Sequence, residues 1–526
     1  MSIFFKNSKR IVAVISGIIL SITCFISCQQ QYHKNSTHQQ VSDGSIGKGK
    51  ELAAVYCASC HMLPDPAMLN AKSWEKGVLP MMGPRLGIFF YGFKQYPSAK
   101  YDGNIGEKFY PSQPVITAEQ WQNILDYYTA LAPDSLVAAK DDVQITMGLP
   151  LFKAVFPSFK YESPRTSFAG IDTVMQPRAL VICDVNNKSI LRIDDQLRLV
   201  DSARCKSPVV NIDFKKDSAA VCNVGIITPN NGSYGTATIL LNAADRKMNY
   251  DTVPIFNKLE RPVQITAADL NNDGREDYLV CEFGNLKGAL SWMENAGNKE
   301  FERHIIKQVP GAIKAYIRDD NKDGLPDVYA LFAQGDEMIS LFTNKGNGNF
   351  EEKQLLRFPP YNGSSYFEMA DFNKDGFPDI VYTCGDNADF SAILKPYHGV
   401  YIYLNDGKNN FTQKYFFHIN GCFKAMARDF DNDGDLDIAA ISFFADYKNR
   451  PEEGFVYLEN NGDINFKPFS LPEAKQGRWL TMDAGDLDGD GKIDLVLGNF
   501  SAPAMIQSAV DFKNNPSFLF LKNMGR

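Results

Sequence analysis

The chain has 526 residues, 44% of them hydrophobic and 22% charged, which describes a globular protein with room for two or more domains and excludes a disordered one. Its formal net charge is −8, and no basic patch speaks for nucleic acid.

Lys6, Lys9 and Arg10 precede the uncharged run IVAVISGIILSITCFIS, Ile11 to Ser27, a positive region followed by an apolar one as in an export signal. An uncleaved anchor helix is the competing reading, because 17 residues sit at the lower edge of spanning length. Phe25, Ile26 and Ser27 before Cys28 resemble a bacterial lipobox, with Phe25 standing where Leu is usual. That resemblance implies cleavage after residue 27, acylation of Cys28 and a lipid anchor in the envelope of a Gram-negative bacterium, facing the periplasm or the outer surface. Either way the folded part lies outside the cytoplasm, and the polar residues 28–46 suit a flexible tether. Loss of the signal's three positive charges leaves the remainder near −11. Six cysteines outside the signal, the lipobox and the next motif (Cys183, Cys205, Cys222, Cys281, Cys384 and Cys422) form an even set in a compartment that permits disulfides, with pairing left open.

Next comes YCASCHM. Ten cysteines and six histidines in 526 residues would produce one Cys-x-x-Cys-His by chance about two times in a thousand. Two thiols one helical turn apart can both add to porphyrin vinyl groups, and the adjacent imidazole is then carried under the iron. Cys57 and Cys60 are the expected thioether links of a single heme c, and His61 its proximal ligand. A redox-active thiol pair is the alternative, which leaves His61 unexplained. His33 and His38 fall in the tether, and His304, His398 and His418 lie far downstream, which leaves methionine for the sixth position. In WEKGVLPMMGPRLG, Pro80 and Pro84 are expected to hold Met81 and Met82 in a short rigid loop; Met82 is favoured over Met81 because Met-Gly-Pro resembles the distal loop of cytochromes c.

Residues 47–133 as a whole resemble a small single-heme cytochrome c. The first helix lies around GKGKELAAVYCASCH, and the last, ITAEQWQNILDYYTALAP, carries a capping box at Thr117 and Gln120. The 21 residues from His61 to Met82 are short for that family. Residues 134–149 read as a linker.

From there to the C-terminus the chain repeats. DLNNDGRED, DDNKDGLPD, DFNKDGFPD, DFDNDGDLD and DLDGDGKID start 50, 52, 58 and 57 residues apart. Each sets Asp or Asn at positions 1, 3, 5 and 9 with Gly at 6, pointing alternate oxygens at a hard cation. The predicted calcium ligands are Asp269, Asn271, Asp273 and Asp277; Asp319, Asn321, Asp323 and Asp327; Asp371, Asn373, Asp375 and Asp379; Asp429, Asp431, Asp433 and Asp437; and Asp486, Asp488, Asp490 and Asp494. Seventeen of these are carboxylates, so five Ca²⁺ would nearly neutralise the mature chain. No Glu stands at position 12 and a β run follows instead of a helix, so these are not EF-hands. The unit resembles the FG-GAP or VCBS repeat of the integrin α-chain propeller. That resemblance implies a multidomain protein: a small all-α cytochrome c domain, then an all-β seven-bladed propeller with calcium loops over residues 150–526.

The blade count follows the turn closing the second strand after each loop, at Asn295, Asn344, Asn405, Asn460 and Asn523, with degenerate copies at Asn242 and near Asp194. Five calcium sites and two empty blades are expected. Residues near Pro150 to Tyr161 are expected to complete the last blade, whose edge would otherwise stay open.

A His- and Met-ligated heme suits one-electron transfer. The function expected is therefore that of an exported electron-transfer lipoprotein, its propeller binding a redox partner protein or a small carbohydrate-like ligand. The alternatives are a quinoprotein-like dehydrogenase passing substrate electrons to the heme, and an adhesion module with a redox sensor. No dinucleotide fingerprint, triad spacing or acid and base pair apart from the loops is found, so no catalytic residue is assigned.

Overall fold

A computed structural model describes residues 31–139, 143–159, 161–242, 248–250, 253–388, 391–501 and 515–526. The expected signal and Cys28 lie outside these residues. No helix among those described is long and apolar enough to cross a membrane.

The N-terminal unit is built on two helices, α1 (Asp43–Tyr56) and α2 (Ala118–Leu131). Ser42 caps α1 by accepting the Ser45 N–H, so the helix starts before the position expected at Gly47. Thr117 and Gln120 form the expected capping box on α2. The helices cross in direct contact at Gly49, where a Cβ would stand 1.9 Å from the Asn123 carbonyl oxygen. Ile46 and Ala53 on α1 and Trp121, Ile124 and Tyr128 on α2 bury a common core with Leu69 and Trp74.

Residues 28–46 are not a free tether throughout. The Asn35 side chain donates to the carbonyls of Thr129 (2.5 Å) and Ala132 (2.7 Å), and its backbone N–H donates to Ala130. It thereby satisfies carbonyls that the end of α2 leaves without helical partners.

The expected distal loop is also corrected. Trp74–Val78 form a π turn, Leu79–Met82 an α turn and Gly83–Leu86 a 3-10 turn. Pro80 and Pro84 each sit in the first turn of a segment, where a missing N–H costs little, so they punctuate helix instead of opening a loop.

The remaining strands form seven antiparallel sheets in sequence order, a seven-bladed β-propeller. Blades 1 and 2 occupy residues 166–204 and 209–259; blades 3, 4 and 5 occupy 262–307, 312–358 and 364–418. Blade 6 (422–470) is extended by Thr146–Met147, which pair in parallel with Phe469 and Ser470 at the end of the segment expected as linker. Blade 7 takes three strands from residues 479–523, and its fourth is Phe152–Val155, paired from Asn523↔Phe152 to Phe520↔Val155. The open edge is thus covered by the segment just before the first blade, closing the ring with both ends of the propeller chain.

Second strands such as Asp327–Phe332 and Asp437–Ser442 are buried at every residue, because each is sandwiched between neighbouring blades. Cys183, Cys222, Cys281 and Cys384 lie on such strands and pack as free thiols, and Cys205 and Cys422 are free and buried as well.

Leu151 and Phe152 bury 99% and 92% of their surface in the core between blades 6 and 7. Replacing either with alanine should cost about 2–5 kcal/mol, measured by denaturant unfolding. Deleting residues 150–155 should lower the melting temperature sharply, whereas an unchanged melt would show that the ring closes without them.

Candidate functional site

Three groups of side chains carry chemistry. The first lies where α1 runs out. Cys57 is the C-cap, its N–H donating to Ala53 O at 2.9 Å, and Cys60 follows one turn on, with its N–H 3.5 Å from Cys57 O. Both thiols are free, Cys57 half-buried against the two-helix core and Cys60 exposed. Burial pushes the Cys57 thiol up to about 11 despite the neighbouring Tyr128 hydroxyl. A thiol-exchange pair needs the opposite shift. The His61 Nδ1 lies 2.8 Å from the Met62 carbonyl oxygen. A carbonyl only accepts, so Nδ1 carries the hydrogen and Nε2 keeps its lone pair. Met82, like Cys57, packs on the two-helix core, which Met81 does not join.

The second group is the set of five loops, which share one hydrogen-bond pattern. In blade 4 the Asp319 carboxylate accepts N–H groups from Asp323 and Gly324, Asn321 accepts from Asp323, and Asp323 accepts from Leu325. Blades 3, 5 and 6 repeat the pattern, and blade 7 keeps it apart from the bond to position 5, taking the N–H of Gly489 in its place. The position-6 glycines hold φ between +79° and +94°, which a side chain would strain. Carboxylates are crowded together as a result. One oxygen from each of Asp429, Asp431 and Asp433 lies within 4.8 Å of the others, and in blade 7 Asp486 and Asp488 cluster as closely with the position-9 residue Asp494.

The position-9 aspartates do more than the sequence suggests. Asp277, Asp327, Asp379, Asp437 and Asp494 are almost completely buried. In each, one oxygen accepts the N–H of position 2 and the other the N–H of the asparagine ending the third strand. That asparagine, used above only to count blades, is a second tie. Asn344 donates to Leu270 O of blade 3 and Asn523 to Phe430 O of blade 6, both at 2.8 Å, linking neighbouring blades. Its fixed recurrence after each loop was the available signal. Burial raises the proton affinity of all five aspartates, Asp437 to about 7 and Asp494 to about 6. In blade 2 three residues, 215–217, replace the loop, which leaves no cradle there.

The third group is absent from the sequence reading, which found no acid and base apart from the loops. Innermost strands of blades 4, 5 and 6 bring Lys314, Tyr316, Tyr366, Glu368, Lys424 and Arg428 together at the ring's centre. Glu368 pairs with Arg428 at 2.8 Å, Lys424 donates to Met482 O at 2.7 Å, and both lysines lie over the Tyr366 ring. Burial, with the like charge of Lys314, brings Lys424 down to about 8. Residues 50 apart in sequence meet here through repetition of the blades, a proximity that no local motif records.

The N-terminal unit rests on the propeller face opposite the acidic loops. Tyr397 in the long 385–398 connection of blade 5 donates to Met68 O at 3.1 Å, and Tyr361 and Ile393 pack on the two-helix core. On the far side of the ring, Asn231 in blade 2 donates to Asp102 at 2.8 Å. The unit therefore bridges blades 2 and 5 across the end of the central channel.

Comparison with known proteins bears on the propeller. Residues 319–382 and 429–497 match the model of the FG-GAP-like repeat. Cartilage acidic protein 1 of Mus musculus is 27% identical over 184 residues, covering 34% of this chain and 27% of that protein. Integrin alpha-4 of Xenopus laevis is 29% identical over 201 residues, 33% of this chain and 18% of its own length. The chain thus spans about a quarter or less of the curated relatives it matches. Among solved structures, the N-terminal domain of Nup159 is 12% identical with a TM-score of 0.41, covering 73% of this chain and 98% of that one, a likeness on which no functional argument rests. The strand order and the two matched segments agree: this chain carries a seven-bladed β-propeller in which residues 319–382 and 429–497 are FG-GAP-like repeats.

Proposed function

We propose that this protein is an exported, lipid-anchored c-type cytochrome that moves single electrons, with a calcium-braced propeller as its binding module. The observation that carries the reading is the His61 imidazole, its Nδ1–H given to Met62 O so that Nε2 is left as a metal ligand, next to two unpaired thiols. These residues fit a heme: Cys57 and Cys60 would hold it as thioethers, and His61 and Met82 would take its axial positions. Heme, when bound, supplies a one-electron couple. The chain's own contribution is to donate the His61 Nδ1 hydrogen to Met62 O and to wall the site with the two-helix core, while His61 and Met82 would be the residues holding the iron. The FG-GAP-like repeats support a binding or adhesion role for the propeller, and an electron carrier in the N-terminal unit, seated on the long-loop face, would stand beside whatever the propeller holds there. Acylation of Cys28 would keep the assembly at the cell envelope.

The loops fit calcium for an electrostatic reason. Three carboxylate oxygens within 4.8 Å of one another repel strongly, and an oxygen-only donor set with a sharp glycine turn suits Ca²⁺. Five ions would tie the first two strands of five blades and offset most of the acidic charge.

A second reading is favoured by the titratable cluster at the channel centre: the propeller acts as a dehydrogenase that passes substrate electrons upward. Reduction of the purified protein by one member of a small-molecule panel, lost in Lys424→Met, would select it over simple electron transfer.

Purified exported protein should show the narrow reduced absorption bands of a covalent heme and the mass of one porphyrin above the polypeptide, both lost in Cys57→Ala/Cys60→Ala. Bare polypeptide mass would sink the redox reading. Met82→Ala should shift the reduction potential while Met81→Ala leaves it in place. For the loops, the sign of the pH dependence is diagnostic. Asp437 and Asp494 bind protons more tightly folded than unfolded, so chelator-treated protein should lose stability as pH rises from about 4 to about 7. Calcium should oppose that loss, adding about 2.7 kcal/mol per site at a hundredfold excess over Kd; thermal melts at several pH values, with and without calcium, test both.

A further inference from the structure

Among the described residues, one close group of carboxylates and imidazole lies on the propeller outside the five loops. On blade 3, one ligand atom each of Glu294, Glu302 and His304 falls within 4.8 Å of the others. Glu294 lies near the end of the third strand and stands directly opposite Glu302 on the fourth, and His304 follows two residues later on the same face. Two glutamates paired across antiparallel strands repel unless a cation sits between them. The histidine's Nε2 is 2.7 Å from Glu294 Oε2, half-exposed and open to solvent.

The three side chains are held from behind. The His304 ring lies over Trp292 with centroids 4.8 Å apart, and the Trp292 indole N–H donates to Asp277 at 3.0 Å. Glu294 accepts the Asn271 amide at 3.0 Å, and Asn271 is itself position 3 of the blade's acidic loop. Supporting bonds of this kind fix the direction of a metal ligand.

The repeat does not require this trio. The same three register positions hold Thr343, Glu351 and Lys353 in blade 4, Leu404, Thr412 and Tyr415 in blade 5, and Glu459, Lys467 and Phe469 in blade 6. Each of those sets lacks histidine and has at most one carboxylate. Blade 3 alone among these four combines an imidazole with two carboxylates.

We propose that Glu294, Glu302 and His304 bind a divalent transition-metal ion of the Zn²⁺ class, leaving a fourth position for water or a donor from a partner. One imidazole and two carboxylates match a three-ligand zinc set, while calcium prefers oxygen alone. Nε2 now donates its hydrogen to Glu294 at 2.7 Å, so metal binding would displace that proton to solvent and leave the ring hydrogen on Nδ1. Because Asn271 touches both Glu294 and Asp273, the ion sits one amide away from the acidic loop, and the two cations share a support. The assignment is independent of the heme reading.

The test is calorimetric titration of the full, calcium-saturated chain with Zn²⁺ alone. Cys57, Cys60 and His61 can also take zinc if they carry no heme, so the site is assigned by difference. Wild-type protein should bind one equivalent more than His304→Gln, and Glu302→Gln, at an exposed position where folding is not at stake, should bind that equivalent at least about tenfold more weakly. The cobalt-substituted wild type should show visible bands that His304→Gln lacks. Equal zinc stoichiometry in wild type and both variants, or binding seen only after calcium is removed, would overturn the proposal and leave His304 as a hydrogen-bond partner of Glu294.

Discussion

A buried carboxylate at the start of the second strand ties together each of the five blades from 3 to 7. Asp327 shows how: it is fully buried, it begins the strand sandwiched between blades, and its two oxygens accept N–H groups from the loop before it and from Asn344 at the end of the next strand. Burying a charge is expensive unless every lone pair finds a donor. Backbone N–H groups supply those donors, yet burial still raises the proton affinity of these groups. The loop residues ahead of them add more negative charge at short range, a repulsion that a bound divalent cation would relieve.

The asparagine ties extend this local device around the ring. Asn344 reaches back to Leu270 and Asn523 to Phe430, so each couples one blade's third strand to the preceding blade's loop. Rigidity therefore concentrates on the acidic-loop face. The opposite face carries the long connections, such as 224–234 in blade 2 and 385–398 in blade 5, and the N-terminal unit is seated on it. One face braced by short acidic turns and one face free to vary is a division of labour that suits a scaffold presenting binding loops.

The two-helix unit follows a comparable economy. Gly49 lets α1 and α2 touch, Asn35 closes the end of α2, and the turn beyond Tyr56 delivers two thiols and an imidazole of fixed tautomer at the core's edge. Those groups belong to one short stretch of chain, which is why local sequence exposed them.

Features written in local spacing were determined by the sequence itself: the Cys-x-x-Cys-His stretch, the five nine-residue loops with glycine at position 6, the count of seven blades and the strand that closes the last. Each depends on residues a few positions apart or on a repeat with a fixed period, and backbone geometry converts such spacing directly into shape. Other features were decided by packing between distant segments. The helical course of residues 71–86 arose because Pro80 and Pro84 fall in first turns and Trp74 and Leu79 bury against α2. The docking of Asn35, the seat of the N-terminal unit across blades 2 and 5, the lysines over Tyr366 and the trio on blade 3 all join residues through the ring's closure or across its strand pairing. Those contacts exist only once the chain has folded, since it is the sheet register and the blade-to-blade stacking that bring the partners within reach.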